Sequence, residues 1–216
     1  MKKQMLNDIK NCLRNLGGKT SLTRNSTDKI YEIYIYACVI ESLKKIHANL
    51  EIRDKNDDPT SNLIFRLKPG LIYSPSNSSG FIYVEYKSRN YEIQCGLRVS
   101  GVSKVLHELD VCIIKRHEAE RSRNNRRNPM QNSIIFLAEC KYYGSTLPLK
   151  IGREYLGLCK EFGARIKSIV SNVESENIHN LVTRHREKEN FNISLSEPDN
   201  VNTFINWLAN ELRQIM

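Results

Sequence analysis

Two short apolar runs in this chain carry acids at positions where a lone carboxylate is costly. The first reads His107-Glu108-Leu109-Asp110-Val111-Cys112-Ile113-Ile114, the second Ile134-Ile135-Phe136-Leu137-Ala138-Glu139-Cys140-Lys141. A carboxylate buried in such surroundings needs a partner or a cation. Strand side chains alternate, so Glu139 and Lys141 share a side while Cys140 points away. If the two strands are neighbours, Asp110 joins that pair. Two carboxylates and an ammonium suit metal-assisted hydrolysis of a phosphodiester. Hard oxygen donors favour Mg²⁺, with Mn²⁺ as a substitute, and Mg²⁺ keeps several waters beside one or two protein carboxylates. The expected ligands are Asp110, Glu139 and the backbone carbonyl of Cys140. Lys141 is expected to orient the attacking water and stabilise developing charge. Work as a base would need a large fall from its ordinary pKa of about 10.4. The competing structural reading is an ordinary Asp110–Lys141 ion pair at a sheet end.

Further candidates lie around this set. An early helical segment offers Glu32 and Glu41, nine residues apart and therefore on opposite faces of a helix. Glu32 sits inside the apolar and aromatic stretch Tyr31-Glu32-Ile33-Tyr34-Ile35-Tyr36 and is the expected fourth catalytic member. Its other reading is a favourable acid near a helix N-terminus. Between the two apolar runs lies a polar, Arg-rich segment that reads as a flexible basic loop. In it Lys115, Arg116, Arg121, Arg123, Arg126 and Arg127 are expected to contact phosphates; a solvated insertion is the alternative. Such contacts position nucleic acid without reading its sequence. Glu108 falls on the Asp110 side, in support of it. His107 reads as packing or turn chemistry. Tyr142 and Tyr143 suit sheet-edge packing better than stacking on bases. Lys150, Arg153 and Glu154, near the next helix, are weaker candidates. His117, His179 and His185 have no zinc-ligand spacing.

The elements that must position these groups follow from periodicity. Residues 1–16 are helical until Gly17-Gly18, and a longer helix spans about 29–47, capped by Asp28 or by Ser26 or Thr27. Asp54 to Pro59 is a polar break. Leu63 to Leu67 is strand-like and 74–80 is loop. Residues 81–86 and 91–95 form a hairpin about Ser88-Arg89-Asn90. Leu109–Ile114 and Ile134–Lys141 are central strands buried on both faces. Gly152–Phe162 is a helix, Ile166–Val170 a buried strand, Phe191–Leu195 a further short strand, and Val201–Ile215 an amphipathic terminal helix. The order fits an α/β fold with a central mixed sheet and helices on both faces. One domain over 1–216 is expected, with an N-terminal helical part to about residue 50 and a C-terminal helix from about 200.

Asp110 followed by Glu139-Cys140-Lys141 resembles the PD-(D/E)xK nuclease superfamily, which includes restriction endonucleases and Holliday-junction resolvases. The pattern is an aspartate on one strand and Glu/Asp-x-Lys on the next, with a helix before and a helix after. The likeness covers about Tyr31 to Val170, and the Tyr-Glu-Ile stretch is similar to the leading helix of some modification-dependent restriction nucleases. Leu109 stands where the family name implies proline. The 29-residue separation of Asp110 from Glu139 is long for adjacent strands and requires an insertion. The resemblance implies a restriction endonuclease-like core and a Mg²⁺-dependent endonuclease, acting on DNA in restriction or anti-phage defence. The alternatives are a noncatalytic nucleic-acid-binding module and a subunit that needs a recognition or activating partner. Because one site handles one strand at a time, cutting duplex DNA calls for a homodimer.

Composition sets outer bounds. At 40% hydrophobic and 26% charged, the chain is that of an ordinary folded domain. No run approaches the roughly 20 apolar residues of a membrane span, and the basic start lacks the apolar core of a secretory leader. Thirty-three basic against 24 acidic residues give a formal +9, which favours a polyanionic partner. The six cysteines are scattered without a CxxC pair, as expected of reduced thiols in a cytoplasmic protein.

Overall fold

The apolar periodicities resolve into helices and strands that alternate around one sheet. The computed structural model describes residues 2–22, 25–74 and 79–216. Two helices come first, α1 (Lys2–Arg14) and α2 (Thr27–Lys45), followed by strands β1 (Asn49–Arg53), β2 (Phe81–Tyr86), β3 (Arg89–Ser100) and β4 (Leu106–Lys115). Then come α3 (Arg116–Asn124), β5 (Ile134–Lys141), α4 (Leu149–Glu161), β6 (Ile166–Ser171), α5 (Glu176–Arg184), β7 (Lys188–Asn190) and α6 (Pro198–Ile215). The strands lie side by side in chain order as one seven-stranded sheet. Pairing is antiparallel from β1 to β5 and parallel from β5 to β7. The chain is thus an α/β fold with a mixed sheet. Parallel neighbours need crossovers, and α4 and α5 supply them.

Two sides of the sheet are covered. One carries α1, α2 and α6, whose apolar residues merge with Ile82, Val84, Val111, Ile113, Phe136 and Ala138. The other takes α3 through Ala119, and α4 and α5 through Tyr155, Ile178 and Val182. Helix α2 is apolar around almost its whole circumference, as a helix enclosed on all sides must be. Residues Ile33 to Ile40 are all buried. Its start is capped by Ser26, whose Oγ accepts from the Lys29 N–H at 3.3 Å. The Tyr36 hydroxyl ties it to the sheet, donating to Ile93 O and accepting from Ile82 N–H.

Several local expectations are corrected. Leu63–Leu67 forms no strand. It runs irregularly, with Leu63 N–H donating to Lys19 O and Phe65 edge-on to Tyr36. The β2–β3 turn is Lys87-Ser88, both with positive φ, so Arg89 and Asn90 already belong to β3. Such a two-residue turn fits the twist of its strands, and neither residue type signals it. The last strand is Lys188–Asn190 rather than Phe191–Leu195. The expected 74–80 loop lies largely outside the described residues. No described helix is long and apolar enough to cross a membrane, and all six cysteines are buried and free.

Candidate active site

Strands β4 and β5 are neighbours, with Val111 paired to Ala138 and Cys112 to Leu137. The next step along that register sets Asp110 beside Glu139. The Asp110 carboxylate accepts the Cys140 N–H through Oδ2 at 2.8 Å, bridging the strand ends where ladder pairing stops. Lys141 reaches back along its own side of β5 to Glu139, Nζ to Oε1 at 2.6 Å. Cys140 is buried against the α2 side, as alternation requires. Ahead of these strands, α2 brings in Glu32, whose carboxylate pairs with Lys29 one turn earlier. Glu41, on the other side of α2, pairs instead with Lys44.

A bend makes room for the acids. Gly96 stands opposite Asp110, between the pairs Cys95–Val111 and Leu97–Leu109. Its φ of 59° lies in the left-handed region that suits glycine, and its carbonyl accepts from Gly70 N–H at 3.0 Å. Across this step both strands change sides. Cys95 and Val111 belong to the α2 core, Leu97 and Leu109 to the core beneath α3. The tip of the β3–β4 hairpin folds back onto the end of α4, where Ser103 N–H donates to Glu161 Oε2 at 2.9 Å. Asp110 occupies the corner.

The electrostatics are those of crowded negative charge. Asp110 is 9% exposed, and burial, then Glu139 and Glu32, push its carboxyl well above the ordinary range against the pull of Lys141 and the Cys140 N–H. Burial also raises Glu32, which Lys29 opposes. Glu108 is raised by burial and by Glu139, with Lys29 and Lys141 opposing. Burial would lower Lys141, but Glu139 and Asp110 outweigh it and hold the ammonium above its usual value. All four expected residues therefore share one electrostatic cluster with two more, Lys29 and Glu108. Sequence reasoning passed over Lys29; its i, i+3 spacing to Glu32 was the available signal. Burial pushes the nearby Cys95 thiol up to about 12, which makes it a poor thiolate nucleophile.

Chemically, Asp110, Glu139 and the Cys140 carbonyl offer hard oxygen donors of the kind Mg²⁺ takes. Among the described residues no three His, Cys, Asp or Glu side chains already form a metal cage. The donor set is two carboxylates and a carbonyl, a number that leaves an octahedral Mg²⁺ about half of its positions for water. Crowded like charges at a buried carboxyl are what a divalent cation relieves.

The basic segment lies elsewhere. It leaves β4 at Lys115 and enters β5 at Ile134, the strand ends remote from the acids. At strand rise, Lys115 is about 17 Å from Asp110. Nor is it a loop, since Arg116–Asn124 is helical. Arg116 and Arg123 turn inward onto Glu92, which is 0% exposed, Arg116 also holds Asp57 and Glu120, and Arg127 grips Glu118 at 2.9 Å. These pairs fold the helix against β3. Arg121 and Arg126 are exposed and Lys115 half-buried.

The remaining candidates fall outside the cluster. Tyr142 packs on Tyr31, ring centroids 5.5 Å apart, and Tyr143 lies against the α4–α5 core. His107 stands edge-on to Phe162 and 3.6 Å from Glu161. Lys150, Arg153 and Glu154 are exposed on α4. The chain matches no family model, and no curated protein shows a significant match to it.

Proposed function

We propose that the chain is a Mg²⁺-dependent endonuclease, with Mn²⁺ able to substitute, that hydrolyses phosphodiester bonds in DNA. Its core is read as restriction endonuclease-like, in keeping with the resemblance of Asp110 and Glu139-Cys140-Lys141 to the PD-(D/E)xK superfamily. One observation carries the reading. A buried carboxylate at a strand bend is crowded by two further carboxylates, and a lysine held protonated stands beside them.

Asp110, Glu139 and the Cys140 carbonyl would hold the cation. When bound, it supplies charge neutralisation at the phosphoryl oxygens and a lowered pKa for the attacking water. Lys141, protonated at neutral pH, orients the attacking water and stabilises negative charge growing on the phosphoryl group. The Cys140 N–H holds Asp110 in place through Oδ2. Glu32, kept in reach by Lys29, accepts a hydrogen bond from that water. Two copies would be needed to cut both strands of a duplex.

The test incubates purified protein with supercoiled plasmid, linear duplex, single-stranded DNA and RNA, each with Mg²⁺, Mn²⁺ or EDTA. DNA cleavage with either metal and none in EDTA is expected, as is loss of cleavage in Asp110→Ala and Lys141→Ala at unchanged folding. Salt-sensitive binding without cleavage under any metal would make the chain a noncatalytic binding module instead.

A further inference from the structure

The opposite end of the sheet holds a cavity of about 870 Å³. Its walls include Arg53, Arg89, Lys115, His117 and Arg165, with the rings of Tyr83 and Tyr91. Ile134, Ile135 and Ile215 add apolar surface, and Asn90 and Asn132 add amides. No ion pair engages Lys115, His117 or Arg165 among the described residues, and His117 and Arg165 are exposed, whereas the exposed Arg89 already donates to Met216 O at 3.4 Å. The acid in the wall, Glu120, is already held by Arg116 Nε at 2.8 Å. Helix α3 starts at this wall without a side-chain cap from Lys115, so its first N–H groups add a positive end to the same space.

We infer that this cavity is a second ligand site, for a polyphosphorylated small molecule of the nucleotide class. Converging unpaired cations at an uncapped helix start select phosphate. The apolar wall and two amides offer what a nucleobase needs, contact area and hydrogen bonds to its edge. The volume lies within the range of small-molecule sites, about 300–1,000 Å³. The cations face a concavity built from several elements, so they suit a compact ligand better than a rigid duplex. The inference stands apart from the nuclease reading, because this end of β4 lies about 17 Å from Asp110.

The experiment is a calorimetric titration of the full chain in EDTA with ATP, GTP, CTP, UTP, inorganic triphosphate and a single-stranded oligonucleotide. EDTA removes any metal-mediated binding at the acids, and Asp110→Asn serves as a control expected to bind like the wild type. At least one nucleoside triphosphate should bind saturably and more tightly than inorganic triphosphate. Lys115→Glu with Arg165→Glu should weaken it by about tenfold or more. Circular dichroism and melting check that this variant is folded, and Arg165→Ala alone should give a smaller loss in the same direction. The inference is overturned if no nucleotide binds or if inorganic triphosphate binds as well. The same follows if only the oligonucleotide binds, if charge reversal leaves affinity unchanged, or if Asp110→Asn abolishes binding.

Discussion

Asp110 concentrates the chemistry because three influences meet on one carboxyl: burial, two like charges, and one backbone donor that fixes its orientation. Lys141→Ala should lower cleavage by about 100- to 1,000-fold, the usual cost of removing a group that stabilises transition-state charge. Comparing single-turnover rates at saturating metal checks this; a wild-type rate would remove Lys141 from the mechanism. Glu32→Gln keeps size and hydrogen bonding while removing charge, so its effect should fall on rate with the fold intact. At this scale much was legible in the sequence. An acid inside an apolar strand is conspicuous because it is expensive, and that cost singled out Asp110 and Glu139. Lys29 was less visible, since a lysine at the start of a helix is usually solvated. Only the fold shows it half-buried against Glu32.

Among the elements, β4 and β5 pair as neighbours, with alternation kept in β5 around the acids and broken in β4 at the Gly96 bend, while α3 departs from its expectation. The composition of 115–132 suggested a flexible basic loop free to contact phosphates, yet three of its arginines are consumed by Glu92 and Glu118. Those acids read in sequence as unremarkable members of a strand and of the segment itself. Nothing local signals that Glu92, in Tyr91-Glu92-Ile93, will be fully buried between two guanidiniums. Glu92→Ala leaves Arg116 and Arg123 without their buried counter-ion and should destabilise the protein by about 3–5 kcal/mol. Denaturant unfolding measures it, and a change below about 1 kcal/mol would show that α3 does not depend on this network. Helix α2 was legible in its span but not in its depth. Periodicity alone did not show that Tyr31 and Tyr36 bury their rings and send their hydroxyls to backbone carbonyls.

At the scale of the whole molecule, stability should couple to pH through the acidic cluster. Asp110 has a folded pKa raised above its unfolded value near 3.9. Its protonated form therefore supports the fold below that value, and the support is lost as pH rises through the raised folded value. The groups facing it are Glu32, Glu139 and Glu108 against Lys29 and Lys141, and both lysines stay charged throughout that window. Metal-free protein should thus lose thermal stability as pH rises from about 4 toward 8. Mg²⁺ or Mn²⁺ should raise the melting point more at pH 8, because the cation needs the ionised carboxylates. Asp110→Asn should flatten both trends; a metal response that grows toward acid pH would contradict the proposed ligands. The mixed sheet was legible as a class from the order of elements, and of its strand neighbours the β2–β3 hairpin was legible while the order of the rest was not.

The corner at Gly96 joins these scales. A methyl group there would meet no closer atom than 3.6 Å, so space permits alanine. The left-handed backbone does not favour it, and the strain is about 1–2 kcal/mol. The hairpin can shed that strain by straightening, which would turn the aspartate away from its partners on the neighbouring strand. Gly96→Ala should therefore remain folded and melt only slightly lower, yet lose its thermal response to divalent ions. The curvature of two strands, set by one residue that lacks a side chain, would then decide whether the acids can act together.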